Sequence, residues 1–487
     1  MNLLAFIGLL LGGGVLAWVS ERINPNAPRW IGLVTFAAAG AWLLGVWLGT
    51  PDGATGYASQ TISWIPRFGI NVDLAMDGLS LMLVALTLFL GIIAIVSSWS
   101  EVEENTGFFQ FNILWVMAGV VGVFTAFDLF LFFFCWEVML IPMYFLIAIW
   151  GHENKSYAAM KFFLFTQISG LLMLFAILAL VYFNYAATGV ITFSYDALLG
   201  AELDDDIEFY LMLGFFVAFL VKLPGVPFHT WLPDAHTQAP TAGSVILAGI
   251  LLKTGAYGMI RFVVPLFPEA AQDFGWTAML LGTISIIYGG YMAYSQSDFK
   301  RLVAYSSVAH MGFVLLGVFA FNELGTQGAI VTMIAHGFST AALFMMAGAL
   351  QQRLHTREMS QMGGLWVRAP RMGAMAMFFV IASVGMPGLG NFIGEFLVLF
   401  GAFQTDVVLT AVAALGLVVA AVYGLSLMQR TFQGTPNPEI ATMPDFGFRE
   451  MSVMILMLIA LVWIGVYPQH VLDMSAPVVQ ALVGGAP

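Results

Sequence analysis

Six ionisable side chains interrupt apolar stretches of the sequence, well away from its loops. They are Glu137, Lys222, Lys253, His310, His336 and Glu395. Carboxylates, amines and imidazoles bind and release protons, and an imidazole passes a proton between its two ring nitrogens near neutral pH. A charge at the centre of a bilayer costs about 2.5 to 3.5 kcal/mol on insertion scales, so such residues face water, a partner or the bundle interior. The six residues predict a polar interior that carries protons.

A carboxylate and an amine form the first part of this predicted relay. Glu137 lies in FLFFFCWEVMLIP, and Lys222 ends an apolar run that is followed by two prolines. We expect the two groups to pair, because each stabilises the charge of the other in a medium of low dielectric constant. A pair of variable strength lets the lysine take up and release a proton. The alternative is a static pair that only fixes helix packing.

A second amine and two histidines continue the pattern. Lys253, in ILAGILLKTGAYGMI, has no acid within a helical turn, and we interpret it as a second protonation site. The alternative is a side chain that extends to the membrane interface. His310, in AYSSVAHMGFVLL, and His336, in VTMIAHGFSTAAL, are each compatible with an ordinary core histidine. Together they predict a hydrated polar chain that includes nearby hydroxyl groups, those of Ser306, Ser307, Ser339 and Thr340.

Glu395 lies in GMPGLGNFIGEFLVLF, just after a Pro-Gly pair. We interpret it as an exit group or terminal proton acceptor, and a hydrogen bond that only packs helices is the alternative. The glycines before it resemble a phosphate-binding loop superficially, but no strand precedes them and their spacing is wrong. No nucleotide site is predicted.

The sequence predicts no metal and no cofactor on this chain. His229, Asp234 and His236 in HTWLPDAH resemble a ligand set, but the turn at Pro233 and the loop position argue against a metal site. The single cysteine, Cys135, excludes an intramolecular disulfide and any iron-sulfur or four-cysteine zinc site within the chain. Redox chemistry linked to this chain therefore needs another subunit.

The composition is that of an integral membrane protein. The chain has 487 residues, of which 60% are hydrophobic and 9% charged, against about 25% charged in a soluble domain. Its mean hydropathy is +0.91. We interpret the net charge of -12 as solvated loop acids, such as the cluster Asp204 to Asp206, rather than a docking site.

Apolar runs long enough to cross a bilayer as helices recur along the whole chain. We predict an all-α fold of about fourteen transmembrane helices. The predicted spans are 2–19, 30–49, 77–99, 108–125, 127–150, 157–184, 207–235, 241–264, 273–295, 299–321, 324–350, 372–404, 406–431 and 450–468.

The basic residues support this count through the positive-inside rule. With both termini on the periplasmic side, the outer loops and helix ends hold only Arg67 and Arg261 of the 16 basic residues. Lys222 and Lys253 fall inside spans. The other twelve gather on the cytoplasmic side, and they are Arg22, Arg29, Lys155, Lys161, Lys300, Arg301, Arg353, Arg357, Arg368, Arg371, Arg430 and Arg449.

Two predicted spans, 207–235 and 372–404, are too long for simple helices and contain similar breaks. The first break holds Pro224, Gly225 and Pro227, and the second holds Pro387 and Gly388. Proline removes a backbone donor and clashes with the preceding turn, so we expect each segment to be a helix, a loop and a helix.

The two breaks fall five spans apart, which predicts an inverted repeat. Spans 4–8 and 9–13 would be two five-helix units, inverted because five is odd. Paired broken helices in inverted halves indicate an ion or substrate pathway at mid-membrane depth. The predicted regions are residues 1–107 (helices 1–3), 108–264 (first repeat), 273–431 (second repeat) and 432–487 (a final helix and a short tail).

The motifs WEVMLIPMYFLIAIWG, VKLPGVPFHTWLPDAHTQAPTAGSVILAGILLKTGAYG, DFKRLVAYSSVAHMGFV, AHGFSTAALF and MPGLGNFIGEF resemble those of the antiporter-like subunits of bacterial respiratory complex I, the proton-translocating NADH:quinone oxidoreductase. The resemblance covers nearly the whole chain and is most specific between residues 132 and 400. Glu395, where several relatives carry lysine, favours the M-type branch of this family.

The resemblance implies a membrane-arm subunit with a modulated Glu137–Lys222 pair and Lys253 as the central proton carrier. It further implies that His310 and His336 connect the halves and that Glu395 serves the outlet. Flavin mononucleotide, iron-sulfur clusters and quinone are expected on other subunits. Expected partners are other membrane-arm subunits, including two homologous neighbours, and the lipid of the bacterial inner membrane. No nucleic acid is expected.

Two other functions stay open at this point. Subunits of multi-subunit cation/proton antiporters and of membrane-bound hydrogenases share these motifs. A structural membrane scaffold, in which Lys222, Lys253 and Glu395 are fixed packing charges, is the alternative from a different class.

Overall fold

The chain folds into a bundle of membrane-length helices with one β-hairpin. The computed structural model describes residues 2–51, 55–435 and 443–484, which leaves parts of the predicted final region, 436–442 and 485–487, outside the described residues. The predicted all-helical membrane class is confirmed. The helices are α1 (Leu3–Ser20), α2 (Ala27–Gly49), α3 (Gly78–Ser97), α4 (Thr106–Thr125), α5 (Leu129–Trp150), α6 (Lys155–Thr188), α7 (Tyr195–Leu198), α8 (Asp205–Lys222), α9 (Trp231–Gln238), α10 (Thr241–Leu266), α11 (Pro268–Tyr294), α12 (Phe299–Val318), α13 (Glu323–Leu354), α14 (Leu365–Arg368), α15 (Pro370–Ser383), α16 (Gly390–Thr405), α17 (Val407–Thr431), α18 (Phe448–Val466) and α19 (Gln469–Gly484).

Twelve helices of the described residues are long and apolar enough to cross a membrane. They are α1 to α6, α10 to α13, α17 and α18. The other two predicted spans, 207–235 and 372–404, correspond to the interrupted pairs α8–α9 and α15–α16. The total of fourteen spans, the inverted repeat and the four region boundaries stay predictions.

Both predicted breaks occur in the structure. Helix α8 ends at Lys222 and α9 begins at Trp231, while α15 ends at Ser383 and α16 begins at Gly390. The predicted Pro and Gly residues lie in these gaps. Gly388 has a φ of +92°, a left-handed conformation that glycine adopts without a Cβ penalty.

Three helices form the buried centre. The apolar window of α10 is 100% buried, and those of α12 and α13 are each 94% buried. By contrast, α1 and α2 bury only 33% and 28% of theirs and direct large apolar side chains outward. A helix that is apolar on all sides must be enclosed by protein or lipid, and here the central three are enclosed by protein.

The β-hairpin was not predicted from the sequence. Strands β1 (Gly56–Ile65) and β2 (Ile70–Asp77) pair antiparallel and precede α3 directly. Asp77 caps α3 through the Ser80 amide and also binds the Arg261 guanidinium. The prediction had counted Arg261 as an outer-side charge, but it is buried within α10, where Asp77 supplies the opposite charge.

Residues 469–484, which follow the last predicted span, form the helix α19. This helix packs on α13 and α3. The carbonyl oxygen of Met474 approaches Gly78 so closely that a Cβ at Gly78 would lie 1.9 Å from it. Only glycine permits this contact, so α19 is seated against the start of α3.

Candidate functional site

Lys253 lies in the middle of α10, the fully enclosed helix. Its ammonium nitrogen is 2.7 Å from Nδ1 of His336 on α13 and also donates to the carbonyl oxygen of Ala248. The helix forms π-helical turns on both sides of the lysine, at Leu247–Leu251 and Met259–Val263. A π turn interrupts the ordinary hydrogen-bond register of a helix and is frequent at functional sites. Here the lysine binds a carbonyl group of the first π turn.

A second pair joins α12 to the helix after the second break. Nδ1 of His310 is 2.7 Å from Oε1 of Glu395 on α16. The other ring nitrogen, Nε2, is 3.1 Å from the hydroxyl of Ser383 and 3.3 Å from that of Tyr423. Both nitrogens of this imidazole therefore have partners that exchange protons.

The two pairs adjoin each other through the imidazoles. The ring centroids of His310 and His336 are 5.5 Å apart. Lys253 and His336 are 0% exposed, and His310 and Glu395 are each 2% exposed. Four helices thus bring an amine, two imidazoles and a carboxylate into one buried row, as the sequence predicted for a polar interior.

Glycines permit the close helix contacts that this row needs. A Cβ at Gly394, beside Glu395, would lie 2.6 Å from the backbone nitrogen of Thr332 on α13. A Cβ at Gly255, on α10, would lie 2.6 Å from the carbonyl oxygen of Phe219 near the end of α8. Each contact brings a helix with a relay residue directly against its neighbour.

The structure does not bring Glu137 and Lys222 into the direct contact that the sequence predicted. Neither the Lys222 ammonium nor Oε1 of Glu137 has a hydrogen-bond partner among the described residues. The ammonium instead lies 5.1 Å from the ring centre of Trp136 and 5.6 Å from that of Phe162. The two groups are still within electrostatic reach of each other. Whether they pair during function stays a prediction.

Two polar residues of the HTWLPDAH stretch, Asp234 and His236, contact different parts of the bundle. Asp234 binds Lys161 at 2.6 Å and Arg301 at 3.4 Å. His236 is stacked on Phe344 with ring centroids 4.4 Å apart, and its ring nitrogens have no hydrogen-bond partner within the described ranges. The aspartate and the histidine therefore serve different neighbours.

Three polar residues of this region were missed by the sequence reasoning, and a fourth was assigned to a different environment. Ser383 and Tyr423 contact His310, and Gln167 interacts with the Glu137 carboxyl group. Lys300, which the prediction placed on the cytoplasmic surface, is 0% exposed and donates to the Ala239 carbonyl. A lone tyrosine in an apolar run, as in AAVYGLSL, is the signal that could have identified Tyr423.

A second cluster of charges lies at the N-terminus of α10, the predicted cytoplasmic end. Both carboxylate oxygens of Glu101 accept from the Thr241 amide at 3.1 Å, an arrangement that also suits the helix dipole. Burial raises the pKa of the Glu101 carboxyl, an effect that nearby Lys300 opposes. Burial and the cations Lys300, Arg357 and Lys155 lower the pKa of His152 to about 3.

Comparisons with known proteins relate this geometry to one family. A family model described as NADH:quinone oxidoreductase/Mrp antiporter, TM, matches residues 126–421, which include all six predicted relay residues. The chain is 51% identical over 480 residues to the NADH-quinone oxidoreductase subunit M of Escherichia coli strain K12, covering 95% of this chain and 94% of the relative.

Two further comparisons agree. The subunit of the same name from Pseudomonas aeruginosa is 52% identical over 480 residues, again covering 95% of this chain and 94% of the relative. A chain of respiratory complex I from Thermus thermophilus with bound NADH superimposes with a TM-score of 0.89 at 30% identity, covering 99% of this chain and 100% of that chain. The chain therefore belongs to the NADH:quinone oxidoreductase/Mrp antiporter family of membrane proteins.

Proposed function

We propose that this chain is a proton-translocating subunit in the membrane arm of a bacterial NADH:quinone oxidoreductase. It moves protons from the cytoplasm to the periplasm through Glu137, Lys222, Lys253, His336, His310 and Glu395. The observation that carries the proposal is the buried row in which Lys253 meets His336 and His310 meets Glu395, each at 2.7 Å.

This row suits proton transfer better than permanent charge storage. Isolated charges at such depth are costly unless they are neutralised or paired. Lys253 shares its proton with an imidazole, and Glu395 shares its proton with another, so each pair accommodates one proton in two positions. A proton that enters at one end can therefore displace another towards the other end, one pair at a time.

Energy reaches the chain from other subunits as a conformational or electrostatic change. The single cysteine leaves iron-sulfur chemistry to partners, and flavin mononucleotide, the clusters and quinone are proposed to reside there. Glu137 is half-buried on α5, where a neighbouring membrane-arm subunit can alter its field. A change in the attraction between Glu137 and Lys222 then shifts the proton on Lys222 and drives the row.

Sequence identity favours this assignment over a cation/proton antiporter. The matching family model covers both kinds of subunit. The relatives that share half of their residues with this chain are named NADH-quinone oxidoreductase subunit M. With both termini on the periplasmic side, the row lies at mid-membrane depth between a basic cytoplasmic face and an outer face with few basic residues.

The test is the Lys253→Met variant in the assembled complex. Methionine has nearly the length of lysine and carries no titratable group. Electron transfer from NADH to quinone and the accompanying proton uptake into inverted vesicles are measured on the same preparation. We expect normal assembly and a loss of proton pumping of at least about tenfold, because positioned proton-transfer groups contribute about 10²- to 10⁴-fold to proton-transfer rates.

Lys155→Met is the matched control. Lys155 is the first residue of α6, at its predicted cytoplasmic end, where its ammonium donates to the Ile149 carbonyl and contacts no relay residue among the described residues. Normal pumping is expected. Full pumping by Lys253→Met would contradict the relay and favour the scaffold, in which Lys253 is only a packing charge.

A further inference from the structure

The ammonium group of Lys222 rests against aromatic rings. It lies 5.1 Å from the ring centre of Trp136 and 5.6 Å from that of Phe162, and its nitrogen makes no hydrogen bond within the part of the chain that the structure describes. The faces of aromatic rings carry negative potential and attract cations within about 6 Å. These two rings are therefore the immediate partners of the buried charge.

The carboxylate that is expected to pair with the Lys222 ammonium is that of Glu137, which follows Trp136 on α5. Successive side chains of an α-helix point about 100° apart, so Trp136 and Glu137 present different directions to α8. Oε1 of Glu137 lies against Gly170 on α6, where an added Cβ would be 2.7 Å away, and Gln167 interacts with the same carboxyl group. The Lys222 ammonium can therefore interact either with the ring of Trp136 or with the carboxylate of Glu137, and these two partners on α5 compete for it.

We propose that Trp136 and Phe162 form an aromatic cradle that holds the Lys222 ammonium whenever its ion pair with Glu137 is open. The cradle is a positioning device. By stabilising the open arrangement, it sets how readily the pair closes. The inference rests on the proposed function, in which the strength of that pair varies during proton transfer.

The rings are held firmly enough for this role. Both are 0% exposed. Trp136 packs on Phe132 and Phe219 with centroids 5.8 Å and 5.6 Å apart, and Phe162 packs on Trp231 at 5.5 Å. The lysine stem, with four rotatable carbons, is the mobile part. A fixed cradle and a mobile ammonium permit two positions of the charge with little movement of the helices.

The strength of a cation–π contact is suited to a switch. Such contacts contribute about 0.5 kcal/mol when exposed and about 2 kcal/mol when desolvated. A free-energy change of about 1.4 kcal/mol alters an equilibrium constant tenfold. Loss of the cation–π contact should therefore shift the ratio of open to paired Lys222 roughly 2- to 30-fold. That range is large enough to bias the pair and small enough for a neighbouring subunit to reverse.

The test replaces Trp136 by tryptophans with increasing numbers of ring fluorines, introduced at this codon alone in the assembled complex. Fluorine withdraws electrons from the ring and weakens its attraction for a cation while leaving its shape nearly unchanged. The readout is the infrared carboxylate band of Glu137, identified by its absence in Glu137→Gln. We expect the salt-bridged fraction to rise with each fluorine, towards a total change of roughly 2- to 30-fold in the ratio.

Trp231 provides the control, because it is equally buried and packs on Phe162 but has no contact with the ammonium among the described residues. Fluorination there should leave the band unchanged. An unchanged band across the Trp136 series, or equal responses at both tryptophans, would overturn the cradle. If a fluorinated variant fails to assemble, Trp136→Phe replaces it, because phenylalanine keeps an aromatic ring that attracts a cation more weakly. The salt-bridged fraction of Glu137 should then rise by an intermediate amount.

Failure of the cradle and failure of the relay give different results. If the Glu137 band is unchanged across the fluorinated Trp136 variants while Lys253→Met loses pumping, the cradle is contradicted and the proposed function is supported. Full pumping in Lys253→Met removes the function on which the cradle depends.

Discussion

The imidazoles of His336 and His310 lie with ring centroids 5.5 Å apart, yet no hydrogen bond joins them. Nε2 of His336 has no partner among the described residues, whereas both nitrogens of His310 are occupied. The row therefore consists of two bonded pairs with one gap between them. In the proposed relay, a proton would cross this gap only when a ring turns or a water molecule bridges it, so the gap is the point where transfer would be controlled.

The first prediction concerns this gap. We expect His336→Asn and His310→Asn each to lower proton pumping by at least about tenfold, because an amide forms hydrogen bonds but does not relay protons in this pH range. The double variant should pump no worse than either single variant, since the two residues act in series. Pumping per NADH oxidised in inverted vesicles is the measurement.

His355→Asn is the control for these variants, because His355 is exposed at the end of α13 and its left-handed backbone accommodates asparagine. It should pump normally. Additive losses in the double variant would mean that the histidines lie on separate routes.

The second prediction separates the two roles of Glu395. In Glu395→Gln the amide still binds His310 but cannot take up a proton, so we expect assembly without efficient pumping. In Glu395→Ala the imidazole loses its partner, which costs about 1 to 3 kcal/mol of stability. Thermal unfolding of the purified complex and proton pumping, measured together, distinguish the variants. Equal pumping by Glu395→Gln and the parent would exclude a proton acceptor at this position.

The fold was largely predictable, because apolar length and Pro-Gly breaks are local properties of a sequence. The breaks after Lys222 and Ser383 follow directly from residues that cannot continue a helix. The hairpin at 56–77 was missed because long apolar runs do not mark short strands, although residues 70–74 alternate between apolar and polar. Helix α19 was missed because its apolar residues cover only one face, which does not resemble a span.

The site was predictable by residue type but not by pairing. Lone charges in apolar runs identified Lys253 and Glu395, because burial makes such charges costly everywhere. Their partners depend on how helices far apart in sequence pack together, and no local pattern records that. The same reason explains why Lys222 was paired with Glu137, although the structure places its ammonium on the ring of Trp136.

The third prediction tests the space around Glu137. A Cβ at Gly170 would lie 2.7 Å from Oε1 of Glu137 and 3.5 Å from Nε1 of Trp136. Gly170→Ala should therefore displace the carboxylate and lower pumping several-fold, as small-to-large changes in packed sites force local shifts that cost about 1 to 3 kcal/mol. Adding Glu137→Asp, which shortens the side chain, should restore part of the lost pumping.

Gly45→Ala, on α2, is the matched control, because nothing lies within 4 Å of the added carbon. It should assemble and pump normally. Pumping by Gly170→Ala at the parental rate would show that the carboxylate does not need its present position.

The fourth prediction follows from the environment of His152 in the loop between α5 and α6. Its pKa falls from an ordinary value of 6.5 to about 3 through burial and nearby cations. Between about pH 3 and pH 6.5, His152 takes up a proton when the loop is open but not when it is closed. The closed loop therefore becomes less stable as the pH falls. From about pH 7 to about pH 5.5, the open fraction should rise by up to about tenfold.

Hydrogen exchange around this loop, corrected for intrinsic pH dependence, provides the measurement. The His152 amide donates to the Gln238 carbonyl at 2.8 Å and reports opening directly. His152→Gln should remove the pH dependence without changing exchange at neutral pH. The same pH dependence in His152→Gln would assign it to another group.

The fifth prediction concerns the buried pair of Asp77 and Arg261, which joins the hairpin to the helix that carries Lys253. Asp77→Asn leaves the guanidinium buried without an opposite charge, and breaking such a pair typically costs about 3 to 5 kcal/mol. Replacing both residues, in Asp77→Asn with Arg261→Met, removes the unpaired charge and should recover much of that stability. Thermal unfolding of the purified complex measures both. If the double variant is as unstable as the single one, the lost packing of Arg261 on Phe127 and Tyr257 offsets the removal of the unpaired charge. The centres of those two rings lie 5.0 Å and 5.4 Å from the guanidinium carbon.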